Sequence, residues 1–261
     1  MFSSRFFALA AVVATVSAQS LSTGCTNTLA AVAQNADAAA CLSPGSLITL
    51  ATGGVNASII APINTWLTAI CGAPACSNDT LAAVVQNVTT GCSTELSSLG
   101  LTSDISSSIT PLVQQYYPTV RKVVCLKDGS TNCVTQTLTN IQNAVGNLSI
   151  SNIAQIIANP PSTIPANVSC TDCIKAAYNV INHDVPSLVS DSASSLQSQC
   201  GASFTDGTTP SNIVDSVSTA TGTSKTTSAA LGALSMLPKG SFAAMGASGI
   251  VVLSTMIAML A

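Results

Sequence analysis

Apolar residues recur through this chain at intervals of three and four positions, the spacing that places side chains on one face of an α-helix. One such stripe consists of Val134, Leu138, Ile141, Val145 and Leu148. A second stripe lies within residues 109–124 and contains Pro118, where we expect the helix to bend or divide. A third stripe lies within residues 174–188 and is interrupted at Pro186. The pattern therefore predicts a helical protein.

Further helices are predicted at residues 26–40, 58–71, 78–88 and 151–158. The turn-forming pairs Asp128-Gly129 and Asp206-Gly207 lack flanking runs of alternating apolar and polar residues, so they do not predict β-hairpins. The expected fold class is all-α: short helices joined by Gly- and Pro-containing turns.

A short internal repeat accompanies these helices. The segment AAVAQN at residues 30–35 resembles AAVVQN at residues 82–87. Cys25 and Cys41 flank the first copy, Cys76 and Cys92 flank the second, and the spacing within each pair is the same. Duplication of a helical unit and coincidence in an Ala-rich chain both account for this pattern.

The beginning of the chain resembles a secretory signal peptide. Arg5 precedes an apolar run at residues 6–16, and Val16-Ser17-Ala18 supplies the small residues of a cleavage site. We expect residues 1–18 to be removed before Gln19.

The far end of the sequence resembles the signal for a glycosylphosphatidylinositol (GPI) anchor. Residues 242–261 contain no charged residue, and a spacer separates them from the small residues Ser228-Ala229-Ala230. We expect residues 231–261 to be the anchor signal and Ser228 the attachment residue. Gly222, Ser224 and Gly232 are alternatives for attachment, and a single membrane-spanning helix is the alternative for the tail.

Composition changes near residue 205. Half of residues 205–230 are Ser or Thr, and such a segment buries too little apolar surface to fold. We therefore expect a disordered Ser/Thr-rich stalk at residues 205–230, following a Cys-rich helical domain at residues 19–204. That head is long enough to build one hydrophobic core, and we expect it to be a single domain.

Cysteine usage predicts how the head is held together. An even number of cysteines in an exported chain predicts up to five disulfides. The cysteines are Cys25, Cys41, Cys71, Cys76, Cys92, Cys125, Cys133, Cys170, Cys173 and Cys200. Their pairing does not follow from the count, although Cys125 and Cys133 flank a turn-like segment and are candidates for a local disulfide. Cys170-Thr171-Asp172-Cys173 also has the spacing of a zinc ligand pair, but no second such pair follows, so we expect disulfides and no metal.

Sequons for N-glycosylation support the prediction of export. They begin at Asn56, Asn78, Asn87, Asn147 and Asn167, and none has proline in its middle position. We expect some of the five to be occupied.

The inventory of chemically active side chains is small. Only 7% of residues are charged, the formal net charge is −3, and the chain has a single histidine, so no nucleic-acid footprint is present. No phosphate-binding, zinc-protease or nucleophile-elbow motif occurs. A catalytic triad would have to use His183 with Asp184 or Asp191, but His183 lies off the apolar stripe and is expected to face solvent. We expect no catalytic residues and no cofactor.

Two cysteine motifs resemble those of a known family. The first is Cys170-Thr171-Asp172-Cys173-Ile174-Lys175-Ala176, and the second is the closing segment CGASFTDG at residues 200–207. With the signal peptide, stalk and anchor signal, they resemble a fungal family of exported, GPI-anchored proteins that share a domain of unknown function. The resemblance covers most of residues 25–210. It implies a location at the cell wall or outer plasma membrane and carries over no catalytic residue.

These observations favour a glycosylated cell-surface or cell-wall protein with a structural or adhesion role, held at the membrane by its glycolipid anchor. Cell-wall polysaccharide is a candidate partner. The alternative is an extracellular binding module whose helices enclose an apolar ligand such as a lipid or sterol. An anchored hydrolase is a third and less favoured class. Because small Ala, Ser and Thr side chains allow close helix packing, we expect a filled core that includes Ile141, Val145, Tyr178 and Ile181.

Overall fold

The structure is a computed structural model that describes residues 22–47, 50, 53–54, 56–98, 105–158 and 165–218. The predicted signal peptide, the expected attachment residue Ser228 and the predicted anchor signal lie outside the described residues. Helices account for 74% of the described chain, which confirms the prediction of a mainly helical protein.

Eleven α-helices occur among the described residues. They are α1 (Thr23–Gln34), α2 (Ala36–Leu42), α3 (Ile60–Gly72), α4 (Asn78–Gly91), α5 (Ser93–Ser98), α6 (Ile105–Val124), α7 (Cys133–Val145), α8 (Ile150–Ala158), α9 (Ala166–Ser169), α10 (Asp172–Asp184) and α11 (Ala193–Cys200). Short 3₁₀ turns lie at Pro44–Leu47, Pro186–Leu188, Ser190–Ser192 and Ala202–Thr205.

The described chain divides into two compact units, whereas the sequence had favoured one domain. Unit 1 contains the described residues from 22 to 115 together with residues 147–158. Unit 2 contains residues 116–146 and 165–218.

In unit 1, the helix predicted at residues 26–40 is divided into α1 and α2 by Asn35. The backbone of Asn35 is extended, with φ −67° and ψ 124°. Its side-chain Oδ1 accepts a hydrogen bond from the Ala38 N–H at 2.9 Å and so caps α2. Asparagine is among the most favourable N-cap residues, and this local bond explains the break in a continuous apolar pattern.

Helices α1 and α4 pack closely against each other. Each begins at a serine cap: Ser22 accepts from the Cys25 N–H, and Ser77 accepts from the Thr80 N–H. Near the end of α4, a Cβ atom added to Gly91 would lie 1.8 Å from Thr28 Oγ1 of α1. The absence of a side chain at Gly91 is therefore what allows the two backbones to approach.

Helix α3 supplies the largest buried side chains of unit 1. Ile63, Trp66, Leu67 and Ile70 are buried along one face of this helix. The Trp66 indole N–H donates a hydrogen bond to the Leu42 carbonyl oxygen at 2.8 Å. The tryptophan is thus a core residue with its one polar atom satisfied.

Helix α6 continues through Pro118, so the alternative in which this proline divides the helix is wrong. Thr119 and Val123, on the C-terminal side of Pro118, are buried in unit 2. A proline in a helix removes one backbone hydrogen bond. Burial of residues after Pro118 favours the helix despite that loss.

Unit 2 combines helices with a small antiparallel sheet that the sequence did not predict. Its strands are β1 (Leu126–Asp128), β2 (Thr131–Asn132) and β3 (Ile213–Asp215), in the order β2-β1-β3. Strands β1 and β2 form a hairpin in which Asp128 pairs with Thr131 and Gly129 has φ 57°. The expectation of no hairpin at Asp128-Gly129 is therefore wrong, because a positive-φ glycine supports the turn without long alternating flanks.

Strand β3 lies within the segment predicted to be a disordered stalk. Val214 pairs with Lys127, and Ile213 is buried. Ser216 extends the contact, since its N–H and its hydroxyl both donate to the Cys125 carbonyl oxygen, at 3.1 and 2.6 Å. Ordered structure thus continues past the predicted boundary at residue 205 to the end of the described residues at 218.

The core of unit 2 forms around α10. One cluster contains Leu126, Cys133, Cys173, Ala176 and Ile213, and another contains Val123, Tyr178, Ile181 and Val189. Two members of the predicted stripes are exposed instead of buried. Val145, at the end of α7, is 38% exposed, and Leu188, in a 3₁₀ turn after α10, is 41% exposed. Both lie at points where the helical path ends, so the periodicity no longer applies.

Candidate functional site

All ten cysteines lie within the described residues, and every one of them forms a disulfide. In unit 1, Cys25 pairs with Cys92 and Cys41 pairs with Cys76. Cys25, before the first copy of the internal repeat, is thus joined to Cys92, after the second copy. Cys41, after the first copy, is joined to Cys76, before the second copy. The repeat helices are therefore crosslinked antiparallel, and neither pair of flanking cysteines closes on itself.

In unit 2, Cys133 pairs with Cys173 and Cys170 pairs with Cys200. The local disulfide suggested between Cys125 and Cys133 is thus wrong, because Cys133 begins α7 and faces Cys173 in the first turn of α10. Cys71 and Cys125 are disulfide-bonded as well. The prediction of a disulfide-bonded chain is confirmed.

The Cys-x-x-Cys motif does not act as a metal-binding pair in this structure. Cys170 and Cys173 belong to two different disulfides, so neither sulfur is a free thiolate. Zinc requires deprotonated thiolates as ligands. The motif therefore connects two crosslinks at the start of α10.

Glu95, the single glutamate, lies beside the Cys25–Cys92 disulfide. Its Oε1 accepts a hydrogen bond from the Ser22 N–H at 2.6 Å, just ahead of α1. Hydrogen bonds from the backbone N–H groups of Ser22 and of Glu95 itself hold the pKa of the carboxyl below its usual range, against a smaller opposing effect of burial. With both neighbouring sulfurs oxidised, Glu95 serves as a cap for α1 and not as a metal ligand.

The histidine of the suggested triad lies on the surface of unit 2. Its side chain is 87% exposed, and its Nδ1 lies 2.8 Å from Asp184 Oδ1. Asp184 also accepts hydrogen bonds on Oδ2 from Lys122 Nζ at 2.9 Å and Thr119 Oγ1 at 3.1 Å. Asp191, the other suggested acid, is near the Ser190 hydroxyl at 3.4 Å. The arrangement ties the end of α10 to α6.

Two opposing effects set the pKa of Asp184. Burial raises it, whereas hydrogen bonds from His183, Lys122 and Thr119, together with the Lys122 charge, lower it, and the net pKa is below the usual range. The carboxylate is therefore ionised and structurally engaged near neutral pH.

An apolar depression lies between α6, α10 and the following 3₁₀ turn of unit 2. It is lined by Tyr116, Thr119, Val120, Ile181, Val185, Leu188 and Val189. Its volume is about 70 Å³, whereas pockets for small organic ligands usually measure about 300 Å³ or more. Burial raises the pKa of the Tyr116 phenol, so this tyrosine remains protonated and neutral. The depression is large enough for a few water molecules or a single small apolar group.

A polar network fastens residues 203–212 to α10 and β1. Lys175 Nζ contacts Asp206 Oδ1 at 2.9 Å and donates to the Ser203 carbonyl at 2.7 Å. The Asn212 amide donates to Asp128 and Asp172, at 2.8 and 3.1 Å. These contacts account for the order of a segment whose composition alone predicts disorder.

The five sequon asparagines are all exposed in the structure. Two of them meet in unit 1, where the Asn147 side-chain amide donates to the Asn56 carbonyl oxygen at 3.2 Å. The hydroxyl residues of three sequons are buried: Thr89, Ser149 and Ser169. Asparagines whose side chains face solvent can carry glycans without disturbing the core.

Sequence reasoning located the cysteines and sequons but missed the network of Lys175, Asp206 and Asn212. The partners in these contacts are far apart in sequence, 28 residues for Lys175 and Ser203 and 84 for Asn212 and Asp128, so they meet only in the folded chain. A weak signal was present, because the few charged residues of the chain include Lys175 and Asp206 within the two cysteine motifs.

No helix within the described residues has both the length and the apolar character needed to cross a membrane. Comparison with other proteins gives no match to the chain: neither a family model, nor a curated protein, nor a solved structure is significantly similar.

Proposed function

We propose that this chain is an exported, glycosylated cell-surface or cell-wall protein whose disulfide-bonded head has a non-catalytic structural or adhesion role. The observation that carries the proposal is the oxidation of all ten cysteines. Disulfides persist in oxidising compartments outside the cytosol. Multiple disulfides indicate an extracellular protein, and the exposed sequon asparagines agree with passage through a glycosylating secretory pathway.

A GPI anchor attached at Ser228 is part of this proposal. It is supported by the uncharged segment 242–261 and the small residues before it. The described head extends to residue 218, so at most about ten residues separate it from the proposed attachment residue. In this proposal a short linking segment would hold the head close to the membrane or the wall.

Treatment of intact cells with phosphatidylinositol-specific phospholipase C tests the anchor. We expect the enzyme to release the protein, with the anchor remnant on a peptide that ends at Ser228. A protein that resists release and retains peptides from residues 249–261 would contradict the anchor and favour a spanning helix.

Treatment with peptide N-glycosidase tests the glycosylation, because it converts each occupied asparagine into an aspartate that peptide mass spectrometry identifies. An exported protein with no converted asparagine would contradict the glycoprotein assignment.

A binding module for an apolar ligand is the second candidate function. It is favoured by the apolar lining of the depression at Val120, Ile181 and Leu188 in unit 2. Because its volume is about 70 Å³, the depression would need to open considerably to accept a lipid or sterol, and we therefore prefer the structural role. Lipid that co-purifies with the secreted protein at near one-to-one stoichiometry would reverse this preference.

A further inference from the structure

The ten cysteines differ in their exposure to solvent. Eight of them are at most 5% exposed. The remaining two, Cys170 and Cys200, are partly exposed, and they are bonded to each other. One disulfide of this chain is thus accessible at both of its residues, whereas the others are shielded by the packed helices.

The local structure explains this difference. Cys170 lies between the short helix α9 and the start of α10, and Cys200 is the last residue of α11. The neighbours of Cys200 on both sides, Gln199 and Gly201, are exposed. Exchange of a disulfide requires a thiolate to reach one of its sulfur atoms, so access determines which bond reacts.

We propose that the Cys170–Cys200 disulfide is a thiol-exchange site for small-molecule thiols. A thiolate attacks Cys200 Sγ, a bond forms between the two sulfurs, and the Cys170–Cys200 bond breaks with Cys170 leaving as a thiolate. A second thiol molecule then attacks the external sulfur and releases Cys200. Two thiols are oxidised to one disulfide, the protein disulfide is reduced, and the two cysteine thiolates take up the protons.

The direction of attack follows from the surroundings of Cys170. In the oxidised protein the Ser169 hydroxyl donates to the Pro165 carbonyl oxygen at 3.3 Å, and its Oγ lies 3.6 Å from Cys170 Sγ. Rotation of this hydroxyl would let it donate instead to a thiolate at Cys170. A sulfur that is better stabilised as a thiolate leaves faster. Cys200 is therefore the sulfur that receives the incoming thiol.

The fold keeps the region together after the bond is broken. Lys175 still holds Asp206 and the Ser203 carbonyl, and the Asn179 side chain still donates to the Thr208 carbonyl at 3.0 Å. The buried Cys133–Cys173 disulfide still crosslinks α10 to α7. Exchange at Cys170–Cys200 therefore proceeds from the native state and does not require unfolding, and it is independent of the proposed anchor.

The test is a time course of reduction of the native secreted protein. The protein is incubated with dithiothreitol under native conditions, free thiols are alkylated at intervals, and the alkylated cysteines are located by peptide mass spectrometry. We expect Cys170 and Cys200 to be alkylated about tenfold or more faster than the other eight, with unchanged far-UV circular dichroism. With glutathione as the probe, we expect a mixed disulfide on Cys200. Alkylation of all ten cysteines at one rate, or of another pair first, would overturn the proposal.

Two double variants provide controls. Cys170→Ser with Cys200→Ser should remove the fast phase and leave the rates of the other eight cysteines unchanged. Cys133→Ser with Cys173→Ser removes a buried disulfide and should retain the fast phase. A fast phase that survives in the first variant would contradict the assignment, and if either variant fails to fold, the wild-type time course still decides.

Discussion

At the scale of single residues, the packing of α1 against α4 depends on a glycine whose role the sequence alone does not show. Gly91 has no side chain, and a Cβ atom there would lie 1.8 Å from Oγ1 and 2.5 Å from Cβ of Thr28. Such contacts cannot be relieved by rotating the Thr28 side chain, because its Cβ is fixed to the α1 backbone. Two helices joined by a disulfide near this point have little freedom to separate.

Replacing Gly91 with Ala should therefore destabilise the protein by about 1–3 kcal/mol, as overpacking of a close contact does. Chemical denaturation of the oxidised protein measures the change in unfolding free energy. Gly72→Ala is the matched control, because no atom lies within 4 Å of a Cβ placed there; replacing this helical glycine should be neutral or stabilising by about 0.4–1 kcal/mol. Adding Thr28→Gly to Gly91→Ala should relieve the clash, and equal stability of the two Gly→Ala variants would contradict the packing argument.

A second prediction at this scale concerns Asp184, whose pKa is lowered in the folded protein. A carboxyl with a depressed folded pKa stabilises the protein above its unfolded pKa, near 4, and that contribution is lost as the pH falls through the folded value. Asp184→Asn should therefore cost about 1–2 kcal/mol at pH 7 and much less near pH 2. Asp191→Asn, an equal change of charge at an exposed site, is the control. Thermal melts from pH 2 to 7 measure both, and a pH-independent cost at Asp184 would refute the explanation.

At the scale of elements, the long helices were predictable because their apolar stripes extend over several turns. Helices α3, α4, α7 and α10 fall where the periodicity places them. The division at Asn35 and the continuity through Pro118 were not predictable, because they depend on one cap and on burial by other parts of the chain. Strands of two or three residues are too short for a period-two pattern, so β1, β2 and β3 left no recognisable signal.

The element that most changes the domain boundaries is β3. Composition places the stalk from residue 205, but Ile213 is buried and Asn212 bonds to both Asp128 and Asp172. A chain ending at residue 204 should lose these contacts and melt at a lower temperature than a chain ending at residue 218. Limited proteolysis provides the second measurement: we expect cleavage after residue 218 and protection at residues 206–216. Rapid cleavage within that range, with equal melting temperatures of the two chains, would restore the predicted boundary.

Sequence analysis predicted which cysteines form disulfides, but it did not predict which cysteine pairs with which. Every cysteine could be assigned to a disulfide from its number and the signs of export. Pairing depends on which helix ends meet in space, and the local candidate, Cys125 with Cys133, failed because Cys133 meets Cys173 on α10. Neighbours in sequence are poor guides here, since the four assigned pairs are separated by 30 to 67 residues.

At the scale of the whole molecule, the stability that the disulfides supply depends on how the loops they close overlap along the sequence. The loop closed by Cys25–Cys92 contains the loop closed by Cys41–Cys76, and the loops of Cys133–Cys173 and Cys170–Cys200 overlap by a few residues. In the chain-entropy model, loops of these lengths each stabilise the folded state by about 4 kcal/mol. Nested loops contribute less than their separate values, because the outer crosslink already restricts the inner chain.

Even with this reduction, the combined contribution of the disulfides is comparable to the total stability of a typical protein, about 5–15 kcal/mol. Reduction of all ten cysteines should therefore abolish the cooperative thermal transition, whereas breaking only Cys170–Cys200 should lower the melting temperature by about 10 °C. Calorimetry of the oxidised, selectively reduced and fully reduced protein distinguishes these states, and titration of the denatured, unreduced protein should detect no free thiol. If the fully reduced protein still melted cooperatively near the temperature of the oxidised form, helix packing and not crosslinking would be the main source of stability.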